Sequence, residues 1–168
     1  LYDQGFPGFS QIIIESEQQV FYLDDKAKAF VALTIKPMHN NAEQMEALVK
    51  AVFDRSKMNL LYQDDANTNA NDTFYSQTAN CLSMSIMTYA LATEAGFEVD
   101  FQEIMIPEYW TRRSGFSLLN GHINIRMMAP KQPNVLEFHR LTFQVDFNPH
   151  PLRYEFPTKL LSTQTFLS

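Results

Sequence analysis

The stretch Asn80-Cys81-Leu82-Ser83-Met84-Ser85-Ile86-Met87-Thr88-Tyr89-Ala90-Leu91-Ala92-Thr93-Glu94-Ala95-Gly96 decides the fold. Leu82, Ile86, Met87, Tyr89, Ala90 and Leu91 make it apolar over much of its circumference, the pattern of a helix buried at the centre of a domain. Asn80 carries a side chain suited to an N-cap, and Gly96 can take the left-handed conformation that ends a helix. The spacing predicts a core helix over 81–95 with Cys81 in its first turn.

Upstream, Asp24 or Asp25 can cap a helix whose apolar positions are Ala27, Phe30, Val31 and Ile35, stopped by Pro37. Asn40 or Asn41 begins another, with Glu43 and Glu46 in its early turns and Met45, Leu48, Val49, Val52 and Phe53 on one face. The opening residues mix Gly5, Pro7 and Gly8 with the apolar run Ile12 to Ile14. Gln63 to Thr73 is almost wholly small and polar and reads as an exposed loop.

Downstream the period changes. Glu98 to Ile106 partly alternates and stops at Pro107; His122 to Met127 and Leu141 to Asn148 alternate polar with apolar, the last placing Phe143, Val145 and Phe147 on one face. Helices followed by strands predict an α+β domain with an antiparallel sheet. No internal repeat appears, and 168 residues suit a single domain.

Composition narrows the function classes. The chain is 45% hydrophobic and carries 13 Lys+Arg against 19 Asp+Glu, a net charge of −6. An acidic domain without a basic run is a poor binder of nucleic-acid phosphates. The runs Ile12 to Ile14 and Phe30 to Leu33 fall far short of the roughly 18 apolar residues of a membrane span. Leu1 rather than Met opens the sequence, so it reads as a piece cut from a longer or processed chain, and the lack of a signal segment carries no weight. With one cysteine there is no intramolecular disulfide. Only 5 glycines and no phosphate-binding loop are present, and His139 and His150 lack ligand spacing with each other or with Cys81, so no cofactor or metal is expected.

Three residues carry the chemistry. Cys81 lies where the helix dipole and free backbone N–H groups favour a thiolate and can receive an oxyanion. His122 opens a strand after Asn120-Gly121, on the polar face shared by Asn124 and Arg126. Asp146 lies on the polar face of another strand. If the two strands are neighbours, a thiol nucleophile, a base and an orienting carboxylate can meet. Singly, each has a plainer reading: a small buried hydrophobe, a hydrogen-bonded structural histidine and a solvated aspartate. Gln77 and Asn80 are oxyanion or substrate-binding candidates by proximity alone, against a turn residue and a helix cap. Trp110, with Tyr109, Arg112 and Arg113 in a loop before His122, could wall a cleft or simply pack.

The blocks Thr78-Ala79-Asn80-Cys81-Leu82-Ser83, Ala95-Gly96-Phe97, Gly121-His122-Ile123-Asn124-Ile125 and Val145-Asp146-Phe147-Asn148-Pro149 resemble the transglutaminase-like superfamily over about 43–149. Where many members follow the His with an aromatic, this chain has Ile123 and Asn124. The resemblance implies a papain-like fold, with N-terminal helices and a central buried helix packed on an antiparallel sheet. It implies Cys81 as nucleophile, His122 as base and Asp146 as the orienting acid. The expected activity is thiol-dependent acyl transfer, or hydrolysis of an amide or peptide, on a protein or peptide substrate through a thioester. The alternative is a non-catalytic interaction module that keeps the fold, with a helical-repeat region following in the same chain after the tail at 157–168. The compartment is open, with a lean towards a bacterial cell envelope or periplasm.

Overall fold

A computed structural model describes residues 14–54, 58–113, 115–133, 135–147 and 157–161. Most of the run Ile12 to Ile14, and Asn148, Pro149 and His150, lie outside the described residues. The elements are α1 (Glu17–Val20), α2 (Asp25–Thr34), α3 (Asn41–Phe53), β1 (Leu61–Tyr62), α4 (Ala70–Ser76), β2 (Thr78–Ala79), α5 (Cys81–Ala95), β3 (Glu98–Arg113), β4 (Phe116–Met128), β5 (Thr142–Val145) and β6 (Thr158–Leu161). The architecture is mixed α+β, with the larger sheet antiparallel in the order β5-β4-β3-β6. Among the described residues no helix is long and apolar enough to cross a membrane.

The core helix forms where its sequence places it. The Asn80 side chain accepts from the Ser83 N–H, and Gly96 ends the helix at φ +97° with its N–H on the carbonyls of Ala92 and Thr93. A side chain at that φ would be strained, which is why glycine stands there. Buried residues run almost continuously from Ser83 to Ala92, so α5 is enclosed by α2, α3 and α4 and by the sheet strands β3 and β4. Tyr89 stacks on Phe101 of β3 at 4.8 Å, and Phe21 closes on Tyr89 at 4.6 Å. Fully burying one side chain such as Leu91 or Met87, both fully enclosed, contributes about 1.5–3 kcal/mol. Of the alternative caps, Asp24 serves α2 through the Ala27 N–H and Asn40 serves α3 through the Glu43 N–H.

The polar stretch Gln63 to Thr73 departs from the expected exposed loop. Asn69 caps α4, and Ala70 and Thr73 are small enough to bury fully against α5. The remainder wraps the start of α5. β1 and β2 form a short parallel ladder, Leu61 with Thr78 and Tyr62 with Ala79, and the Gln63 N–H reaches the Ala79 carbonyl at 3.0 Å.

The first long strand also departs from expectation. β3 does not stop at Pro107; it runs to Arg113 and turns back into β4 at Gly115, φ +86°. Pairing passes from Ile104–His122 to Tyr109–Asn120, so 105–108 lie opposite Gly121 alone. Pro107 sits inside this bulge, where its missing N–H removes no ladder bond. Trp110 is therefore on a strand opposite Leu119, not in a loop, and His122 is inside β4 rather than at its start. The tail supplies one more strand, β6, antiparallel to β3 with Ile104 opposite Thr158 and Phe101 opposite Leu161. β5 ends at Val145, so Asp146 is one residue beyond the strand.

Candidate active site

β4 and β5 are neighbours, with Ile125 opposite Val145. One step beyond that pair lies Asp146, set against Asn124 and diagonal to His122, close enough for side chains on the same face to touch. They do: His122 Nε2 and Asp146 Oδ1 are 2.6 Å apart. The His122 side chain is only 9% exposed and that of Asp146 35%. Cys81, partly buried at the first position of α5, lies close enough to the His122 ring to help raise its pKa. With Nε2 engaged by the carboxylate, Nδ1 is the nitrogen left to exchange a proton with the thiol.

The electrostatics follow. The hydrogen bond that His122 donates to Asp146, and then the nearby Cys81 side chain, hold the His122 pKa up at about 9, against the opposing effect of burial. At neutral pH the ring is then an imidazolium, set between a carboxylate and a sulfur. By position, the N–H groups of Cys81 and Leu82 have no acceptor within the helix. They are donors for negative charge developing beside the sulfur.

Of the six residues singled out, the structure brings three together. Cys81, His122 and Asp146 converge from α5, β4 and the end of β5. Asn80 is occupied as a strut: Oδ1 caps Ser83, while Nδ2 donates to the Asp64 carbonyl at 3.2 Å and to Asn67 Oδ1 at 2.6 Å. Gln77 holds the left-handed end of α4 at φ +54°, exposed, with its carbonyl accepting from the Leu61 N–H. Trp110 is 63% exposed, beyond the bulge from Ile104.

Sequence reasoning missed the support beneath Cys81. Ser83 Oγ donates to the Ala66 carbonyl at 2.8 Å and accepts from the Thr68 N–H at 2.8 Å. Together with Asn80 it ties 64–68 to the first turn of α5. The available signal was a serine two residues after the cysteine on a strongly apolar helix, facing a run rich in Asn. Asn80→Ala leaves the buried Ser83 N–H unmatched, removes the cap and frees the ties to Asp64 and Asn67. It is expected to lower stability by about 2–4 kcal/mol, read as a drop in the urea midpoint at unchanged slope. A change under about 0.5 kcal/mol would mean that the strut carries no load.

Among the described residues no three His, Cys, Asp or Glu side chains gather as a metal site. Compared with known proteins, the chain matches no family model, no curated protein and no solved structure.

Proposed function

We propose that this chain is a cysteine acyl hydrolase of the transglutaminase-like type, using Cys81, His122 and Asp146 on a protein or peptide acyl group. One observation carries the reading: the His122 imidazole is hydrogen-bonded to the Asp146 carboxylate and close to Cys81 at the N-terminus of a buried helix. The α+β arrangement, with that helix packed on an antiparallel sheet, supports the papain-like form of the fold.

In this mechanism the Cys81 thiolate attacks the acyl carbonyl and forms the S–C bond. The carbonyl oxygen takes the negative charge beside the N–H groups at the start of α5. As the tetrahedral adduct collapses, the C–N bond breaks and the imidazolium of His122 gives its proton to the leaving amine. The thioester remains. Neutral His122 then takes a proton from water, whose oxygen attacks the thioester carbonyl; the acid leaves and the thiolate–imidazolium pair is restored. Asp146 holds Nε2–H throughout and so fixes the tautomer. Water is taken as the acceptor of the acyl group in this mechanism.

The test is alkylation of Cys81 by iodoacetamide across pH. The rate is expected to stay flat down to roughly pH 6, because the thiolate is held by His122 and the helix end. A rate that climbs only around pH 8.5, as for an ordinary thiol, would overturn the enzyme reading and favour the interaction module.

A further inference from the structure

Beyond the bulge at 105–108 the hairpin of β3 and β4 runs on as a two-stranded arm, from Tyr109 opposite Asn120 to Arg113 opposite Phe116. β6 pairs with β3 only over Phe101 to Ile104, and β5 pairs with β4 only over Ile125 to Met128. Among the described residues, then, no third strand accompanies the arm. Two strands alone are marginally stable in water, and their outer edges leave backbone groups open to another extended chain.

The side chains of the arm point to what covers it. Trp110 is 63% exposed, and among the described residues no ring contact shields it. Arg112, two residues on, lies on the same face by strand alternation; it is exposed and meets no acidic side chain among the described residues. The other arginines with described side chains are both matched, Arg126 by Asp100 at 2.6 Å and Arg140 by Glu98 at 3.0 Å. Residues 109–120 hold Arg112 and Arg113 and no Asp or Glu, in a chain whose net charge is −6. The arm is a cationic projection from an anionic body. Trp and Arg are also the side chains that concentrate binding energy at protein interfaces, the one through apolar area and the other through its forked donors.

We propose that this arm docks an acidic, extended segment of a partner protein, which adds as a strand and sets a carboxylate on Arg112 and an apolar side chain on Trp110. The guanidinium fork matches a carboxylate with two parallel hydrogen bonds. Strand addition also fixes the spacing the partner needs. Side chains of an added strand share a face at every second residue, so its acidic and apolar residues stand two apart. A nucleic acid is the poorer occupant, because two arginines neutralise about two phosphates and the rest of the chain repels a polyanion. The docking role holds whether or not Cys81 is catalytic.

Trp110 is the sole tryptophan of the chain, so its emission reads the arm directly. The probe is a short peptide with Glu and Leu taking turns at every second position between Thr residues, set against the same peptide with Lys for Glu. The Glu peptide should shift the emission to the blue in a saturable way, and added salt should weaken its binding. Arg112→Gln should weaken binding about tenfold at an unchanged melting temperature. Trp110→Leu, followed by the anisotropy of labelled Glu peptide, should weaken it likewise. Absence of a shift, equal binding of the Lys peptide, or undiminished binding in Arg112→Gln would overturn the proposal. So would single-stranded DNA or anionic vesicles that shift the emission where the Glu peptide does not. A blue shift produced by concentrating the chain alone would give the arm to a second copy and overturn it as well.

Discussion

Cys81→Ala is expected to abolish the acyl-enzyme outright. With p-nitrophenyl acetate the native chain should give a stoichiometric burst of p-nitrophenolate and an acetyl adduct in the intact mass, and the Ala chain neither. Removing the nucleophile of a cooperating triad leaves only what binding and the oxyanion donors supply, so turnover should fall by roughly 10⁴-fold or more. The experiment is clean because Cys81 is the sole cysteine of the chain; no second thiol can take up the acetyl group. Replacing one partly buried sulfur by hydrogen should cost about 1 kcal/mol or less, so the melting temperature serves as the folding control. A burst that survives in Cys81→Ala would place the nucleophile elsewhere and end the proposal.

The second large effect belongs to His122→Ala. In the proposed mechanism it removes both the charged partner of the Cys81 sulfur and the group that moves the proton in both half-reactions. Loss of a general acid–base costs about 10²–10⁴-fold in turnover. Iodoacetamide separates the two roles, because alkylation needs the thiolate but no proton transfer to a leaving group. An ordinary thiol with a pKa near 8.5 is under about 1% ionised at roughly pH 6, so the flat profile should become one that rises through about pH 8.5. Part of the drop in rate is offset because a more basic thiolate is a better nucleophile, which makes the shape of the profile the decisive reading. A flat profile in the Ala variant would assign thiolate stabilisation to the helix end alone.

The same pair ties stability to pH. Folding raises the His122 pKa from 6.5 to about 9. The protonated ring is therefore bound more tightly in the folded chain. Its contribution is fully present below about pH 6.5, diminishes above it, and is lost as pH rises through about 9. His122→Ala should remove that dependence.

Local chemistry was legible from residues alone. Asn80 and Gly96 bound α5, Asp24 and Asn40 cap α2 and α3, and the alternation around His122 and Asp146 put both on polar strand faces. What escaped was set by partners distant in the chain. Pro107 looks like a strand end because a regular ladder needs its N–H; the bulge opposite Gly121 removes that need, and no local pattern announces a bulge. Ala70 and Thr73 look too small and polar to bury until α5 stands beside them. β6 is four residues placed by pairing with the edge of β3, a partner far away in the chain. Cys81, His122 and Asp146 could be nominated from order and position, but whether His122 and Asp146 meet depended on β4 and β5 pairing with Ile125 opposite Val145.

The run from Asp64 to Thr68, tied to Asn80 and Ser83, has a consequence for mutational tolerance. Surface loops ordinarily absorb substitution and insertion freely. Here Asn67 and the backbone of Asp64, Ala66 and Thr68 set where the first turn of α5 sits, and with it the sulfur. A single-residue insertion between 64 and 68 would shift these ties and, with them, the Cys81 sulfur. If the proposed activity holds, a library screened for turnover should find this segment as intolerant as Cys81, His122 and Asp146, while one screened only for folded chain should see no more than the stability lost with the ties to Asn80 and Ser83.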